Sequence, residues 1–142
     1  MRTFWLALAV LLCVPAVAEA RTWRGETEQD RPVMVRTGDD GTVKKVRLAW
    51  KARCRNGNYT SSTFFKVPFD LSTASEFRDA GTYRSRRLKG GYRARHTVAV
   101  RGTLGADDRW TGTFRVRTRV MRRGRLVDRC RRAGVSWSAA PR

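Results

Sequence analysis

Histidine, cysteine and acidic residues are scarce in this chain of 142 residues, which has one histidine, three cysteines and 12 Asp and Glu together. With the single histidine, His96, no second imidazole exists to share a zinc site, and a catalytic serine triad would depend on that one ring. No Gly-x-Ser-x-Gly or Cys-x-x-Cys motif is present. We therefore expect no catalytic residue, no metal and no cofactor, in a protein that is not an enzyme. His96 occupies an inward position between the apolar residues Ala94 and Val98 and is predicted to be neutral, buried and hydrogen-bonded.

Long apolar runs are also lacking, except at the start of the chain. Residues 4–17 are apolar apart from one proline, and a small-x-small pattern ends at Ala20. This run is too short to span a membrane and is typical of a signal peptide, so residues 1–20 are predicted to be removed on export. Cys13 offers a lipoprotein as the alternative, although a leucine precedes it where a small residue is expected. No later stretch suits a spanning helix, and we expect a secreted protein, extracellular or periplasmic.

Cleavage after Ala20 would leave two cysteines, Cys54 and Cys130, in an oxidising compartment. The simplest outcome is one disulfide bond between them. Closing a loop of about 77 residues would stabilise the fold by roughly 4.5 kcal/mol through the lost entropy of the unfolded chain. A redox pair or a metal site is the alternative, and neither has a supporting motif.

Alternation of apolar and polar residues is the main structural signal after residue 20. Apolar residues occupy largely every second position along residues 46–54, 92–104 and 110–120, and many positions between them are basic. Because successive side chains of a strand point to opposite faces of a sheet, these segments are predicted to be half-buried strands with a basic outer face. No segment shows an apolar stripe of helical period, so we expect few helices.

Turn sequences separate these and further strands. Asp39-Asp40-Gly41, Asn56-Gly57-Asn58 and Arg122-Arg123-Gly124 are typical of the connections in β-hairpins. Strands are also expected at residues 125–131 and 135–139.

Residues 68–91 are the least regular part of the chain. They are predicted to form a long connection with one short strand, near residues 76–77 or 82–85. About seven or eight strands result. The predicted fold is all-β, a single antiparallel β-sandwich or flattened barrel over residues 21–142 with one disulfide bond.

Four aromatic side chains at inward positions are candidates for the core: Trp23, Trp50, Phe114 and Trp137. Each could instead be a platform on which a ligand stacks, but inward positions beside valine and cysteine favour packing. A domain of this length buries roughly two-thirds of its unfolded surface, which is enough for one core.

Five short motifs are spread along the chain: Pro32-Val33, Trp50-x-Ala52-x-Cys54, Gly112-Thr113-Phe114-Arg115-Val116, Gly124-Arg125-Leu126-Val127-Asp128 before Cys130, and Val135-x-Trp137-Ser138-Ala139. Together they resemble small secreted bacterial β-proteins that are mostly described as uncharacterised. They span most of residues 23–139, and each is an element of a turn, the core or the disulfide. The resemblance implies an exported, disulfide-bonded all-β fold and carries over no catalytic residue.

Few carboxylates lie outside predicted turns. Glu26, Glu28 and Asp30 alternate on the first strand, where ion pairs with basic residues of neighbouring strands are expected. Asp128 shares its parity with Leu126 and Cys130 and, if buried, needs a partner, for which an arginine is expected. Either set could serve a small hydrolase, the alternative to a binding protein, which would need a cleft with two carboxylates at a suitable separation.

The excess of positive charge is the strongest functional signal. Lys and Arg number 31 and the net charge is +19, whereas solubility requires a charge of only about 2 to 8 on a small domain. Outward positions two apart on a strand lie about 6.6 Å apart, so the three strands are predicted to carry basic stripes that merge into one patch. The predicted anion-binding residues are Lys45, Arg47, Lys51, Arg53, Arg93, Arg95, Arg101, Arg115, Arg117 and Arg119.

Guanidinium groups bind phosphate, sulfate and carboxylate through paired hydrogen bonds, and a field of this size attracts polyanions. We therefore expect a secreted binding protein for anionic polymers or surfaces: wall polymers, acidic polysaccharide, lipid headgroups or extracellular DNA. Sequence-specific recognition of nucleic acid is not expected, because no DNA- or RNA-binding motif is present. The alternative is an envelope module that binds or inhibits another protein through residues 68–91. The stripes could also face opposite sides, with the charge serving solubility alone.

Overall fold

The computed structural model describes residues 19–85 and 87–142, so the predicted signal peptide lies outside the described residues except for its last two positions. The described residues form nine β-strands and one short 3-10 turn, Lys89–Gly91. The strands are β1 Thr22–Thr27, β2 Pro32–Thr37, β3 Val43–Cys54, β4 Gly57–Lys66, β5 Leu71–Ser72, β6 Glu76–Arg84, β7 Tyr92–Leu104, β8 Trp110–Arg122 and β9 Arg125–Pro141. Within this part of the chain, no helix has the length and apolarity needed to cross a membrane.

All nine strands belong to one antiparallel sheet in the order β4-β3-β2-β1-β9-β8-β7-β6-β5. The β1–β2 hairpin is inserted between β3 and β9. Beyond the end of that hairpin β3 and β9 pair directly, with Arg53 opposite Arg131 and Cys54 opposite Cys130. The predicted all-β antiparallel fold is confirmed, with nine strands instead of seven or eight.

Residues 68–91 are more regular than predicted. They contain β5 and the nine-residue β6, which pairs with β7 from Glu76 to Arg84 and so covers both of the short strands considered. On the inner face of β6, Phe77 is buried, but Asp79 and Gly81 follow at the next inward positions. Because these two residues interrupt the apolar alternation, the pattern of a strand is hard to recognise in the sequence.

β9 is one strand of 17 residues. It contains both of the segments that were predicted as separate strands, 125–131 and 135–139. The register with β8 shifts between Phe114 and Val116, which marks a β-bulge. Gly134 lies there with a φ of 67°, a left-handed conformation that glycine adopts readily. The bulge lets the strand continue across a stretch where the sequence alternation breaks.

The core lies on the inner face of the curved sheet. Trp50 on β3 is fully buried, its indole Nε1 donates to Thr63 Oγ1 at 2.9 Å, and its ring lies 6.1 Å from the ring of Phe114 on β8. The ring centres of Phe65 on β4 and Tyr83 on β6 lie 5.7 Å apart although these strands are near opposite ends of the strand order, so the sheet curves around the core. All four predicted core aromatics are buried. The fully buried side chains that were not singled out include Phe65, Phe77 and Trp110.

The predicted disulfide is present and joins β3 to β9 between Cys54 and Cys130. The predicted burial of His96 is also confirmed, since its side chain is 6% exposed and its Nδ1 lies 2.9 Å from Thr118 Oγ1. Burial lowers the pKa of His96, which keeps the ring neutral near pH 7.

Candidate functional site

Seven arginines from five strands form two adjacent rows on the outer face of the sheet. In the longer row Arg84 lies opposite Arg95, Arg95 opposite Arg119, and Arg119 opposite Arg129. In the shorter row Arg117 lies opposite Arg131, which lies opposite Arg53. We call this set the arginine ladder: Arg53, Arg84, Arg95, Arg117, Arg119, Arg129 and Arg131.

The alternation of each strand explains why the ladder faces solvent. Ala94, Thr118 and Cys130 occupy inward positions next to ladder residues and are buried, so the intervening arginines point outward, and all seven are exposed. Directly opposite residues have Cβ atoms about 5 Å apart, and neighbouring rows are about 7 Å apart. Like charges at this spacing repel each other, so a bound anion would relieve an existing cost.

Carboxylates do not neutralise the ladder. The described residues form four ion pairs, none of which includes a ladder arginine: Arg21–Asp108 at 2.6 Å, Lys44–Asp40 at 2.7 Å, Arg109–Asp107 at 3.7 Å and Arg132–Glu28 at 2.8 Å. Asp128 adjoins Arg129 in sequence, but its Oδ1 accepts hydrogen bonds from the backbone N–H groups of Arg129 and Arg55, at 2.7 and 3.2 Å.

The structure brings most of the predicted anion-binding residues together. Arg53, Arg95, Arg117 and Arg119 belong to the ladder itself. Three more lie beside it on the same strands: Lys51 two positions before Arg53, Arg93 two positions before Arg95, and Arg115 two positions before Arg117.

Lys45, Arg47 and Arg101 lie apart from the ladder. Lys45 and Arg47 are on the first half of β3, where the inserted β1–β2 hairpin separates them from β9, and their charged groups lie 5.2 and 5.1 Å from the ring centre of Phe64. Arg101 is near the far end of β7, and its Nε donates to Thr113 Oγ1 at 3.0 Å. The three predicted stripes therefore do not form a single patch of ten residues.

Sequence reasoning missed Arg84, Arg129 and Arg131. A signal for the last two exists, because they flank the inward Cys130 and must point outward on either side of it. Arg84 lies in the segment whose strand pattern is interrupted, and only its pairing with Arg95 places it in the row.

The ladder leads into a pocket of about 810 Å³ between the connection from β6 to β7 and the hairpin from β8 to β9. We call it the arginine pocket after six of the residues that line it: Arg84, Arg87, Arg93, Arg95, Arg119 and Arg123. No carboxylate is among its described lining residues. Arginine side chains grouped in this way can bind a phosphoryl, sulfate or carboxylate group through charge-assisted hydrogen bonds.

Of the acidic residues singled out in the sequence, Glu28 and Asp128 have structural partners, whereas Glu26 and Asp30 form no ion pair among the described residues. Glu28 accepts hydrogen bonds from Ser136 Oγ at 2.7 Å and Arg132 Nη2 at 2.8 Å, and these bonds lower the pKa of Glu28. Asp128 lies close to Cys54 and Cys130, but both sulfur atoms are held in the disulfide and offer no thiolate to a metal.

One titratable cluster was not recognised in the sequence. The hydroxyl of Tyr83 donates to Asp79 Oδ2 at 3.3 Å. Burial and then the charge of Asp70 raise the pKa of Asp79, and burial followed by the charge of Asp79 raises the pKa of Tyr83 to about 12. Tyr83 therefore stays protonated as a hydrogen-bond donor to this carboxylate.

Comparison of the chain with protein-family models, with curated proteins and with solved structures finds no match. The resemblance to small secreted bacterial β-proteins stays a prediction.

Proposed function

We propose that this chain is an exported, non-enzymatic binding protein that engages anionic polymers or anionic surfaces through the arginine ladder. The observation that carries this proposal is the pairing of arginine with arginine across five strands, without a carboxylate partner among the described residues. Like charges directly opposite each other destabilise a sheet, and the long alignment of arginines in the ladder favours a role in binding anions.

The shape of the ladder favours an extended ligand. Its two rows run across the strands, so a polymer lying along a row would present successive anionic groups to successive arginines. Release of counterions from such a polymer supplies much of the binding free energy. The contacts are to charge and not to base edges, so the proposed binding does not depend on nucleotide sequence.

The sheet gives the ladder a rigid base. We infer that it is a flattened barrel, because the ring centres of Phe65 on β4 and Tyr83 on β6 lie 5.7 Å apart although these strands are near opposite ends of the strand order. Packing of both ends of the sheet on one core would fix the arginine spacing before the ligand binds, which lowers the entropic cost of binding.

Two triple variants with the same loss of charge test the proposal. The ladder variant carries Arg95→Gln, Arg117→Gln and Arg119→Gln. The control variant carries Lys45→Gln, Arg47→Gln and Arg101→Gln, the predicted residues that lie apart from the ladder. Affinity for a fluorescent DNA duplex and for heparin is measured by anisotropy over a range of NaCl concentrations.

We expect the slope of log K against log salt for DNA, which is negative, to become less steep by about 2.7 in the ladder variant, since each lost phosphate contact removes about 0.9 from its magnitude. The control variant should keep a slope close to that of the wild type. Equal losses in both variants would show that net charge alone attracts the polymer, and would refute the ladder as the binding surface.

A further inference from the structure

The hydrophobic side chains exposed around the arginine pocket point to a more specific ligand. Five large apolar side chains of the described residues are exposed, and three of them lie at this end of the sheet: Leu88 at 37%, Leu126 at 38% and Val127 at 42%. Leu126 lines the pocket, Val127 follows it, and Leu88 follows Arg87 of the pocket lining. Exposed apolar residues grouped beside a basic cluster are typical of proteins that bind at a membrane surface.

The pocket itself is amphipathic. Its arginines share the lining with two large apolar side chains of the outer face, Met121 and Leu126. Met121 and Leu126 lie opposite each other on the outer face, with Arg93 opposite Met121 on the other side. DNA or an acidic polysaccharide has no acyl chain to contact these apolar side chains, whereas a lipid joins a phosphate to acyl chains.

We propose that this end of the sheet docks onto an anionic lipid surface, with a headgroup phosphate in the arginine pocket and Leu88, Leu126 and Val127 among the upper acyl carbons. The inference rests on the proposed function and names its ligand class. The ladder, which is continuous with the pocket through Arg84, Arg95 and Arg119, would face the surrounding headgroups.

The other two exposed apolar side chains supply a matched control. Phe64 and Val67 are 42% and 53% exposed and also lie near basic residues, but Lys45 and Arg47 already stack on the Phe64 ring. The tip variant carries Leu126→Ser and Val127→Ser, and its control carries Phe64→Ser and Val67→Ser. All four side chains are exposed, so both variants should fold, which circular dichroism verifies.

Binding is measured by co-sedimentation with vesicles of phosphatidylglycerol and phosphatidylcholine in equal parts, and with pure phosphatidylcholine vesicles. DNA binding is measured in parallel. We expect the tip variant to lose about tenfold in affinity for the anionic vesicles, because two apolar side chains no longer leave water, while its affinity for DNA is unchanged. The control variant should bind both ligands like the wild type.

A pocket variant, Arg93→Gln with Arg123→Gln, should lose roughly 25-fold in affinity for the anionic vesicles, since each basic residue near such a surface contributes about fivefold. If the tip variant bound anionic vesicles as tightly as the wild type does, or if its control lost the same affinity for them, the lipid inference would be overturned. The proposed function would not be affected. If the wild type bound neither DNA nor anionic vesicles, the proposed function would be overturned as well.

Discussion

Replacing Arg119 by glutamine should stabilise the fold and weaken polyanion binding at the same time. Arg119 lies opposite both Arg95 and Arg129, and its side chain is exposed. Two like charges about 6 Å apart repel by about 0.7 kcal/mol in water, and physiological salt reduces this by about half. Two such neighbours therefore cost about 0.5 to 1 kcal/mol, which corresponds to an increase in Tm of about 2 to 5 °C on removal of the charge.

Thermal unfolding followed by circular dichroism at low and high salt measures this gain. The increase in Tm should shrink at high salt because it comes from repulsion between exposed charges. Arg24→Gln is the control, since Arg24 lies opposite Met34 and Ala140 and has no like charge across the strand. A Tm for Arg119→Gln that is unchanged or lower at low salt, or an equal gain in the control, would refute the argument from repulsion.

Three further predictions concern the fold that supports the ladder. Replacing Cys54 and Cys130 by serine should lower the free energy of unfolding by up to about 4.5 kcal/mol in urea titrations, because the bridge closes a long loop; an unchanged midpoint would contradict this. Stability should decrease as the pH falls from 7.5 to 5.5, because the pKa of buried His96 lies below its value of 6.5 in the unfolded chain, so the unfolded state binds the proton first. Urea midpoints at both pH values should show a flatter dependence in His96→Gln, and an equally steep one would exclude this origin. Gly102→Ala should destabilise the fold by about 1 to 3 kcal/mol, since the added methyl group would overlap the rings of Phe77 and Trp137; a wild-type Tm would contradict that packing.

The sequence was informative wherever side-chain alternation is regular. The strands that contain Trp50, His96 and Phe114 have buried and exposed positions that follow the predicted parity, because one face of each is continuously apolar. β6 was harder to recognise, since Asp79 and Gly81 occupy inward positions.

The composition of the ladder depends on register, which parity alone does not determine. Outward parity is shared by Arg101 and Arg95, yet the pairing places only Arg95 beside Arg119. The insertion of a hairpin between β3 and β9 removes Arg47 from the patch, and only the direct pairing at the disulfide brings Arg53 to Arg131. Such long-range neighbours follow from how the strands pair, which one sequence does not reveal.

Titration of the isotopically labelled protein with heparin, followed by NMR of the arginine Nε–Hε groups, tests directly whether the ladder is the binding surface. We expect the largest shifts at Arg95, Arg117, Arg119 and Arg131, and small shifts at Arg24, which lies apart from them. Shifts spread evenly over all arginines, or largest at Arg24, would contradict a binding surface formed by the ladder.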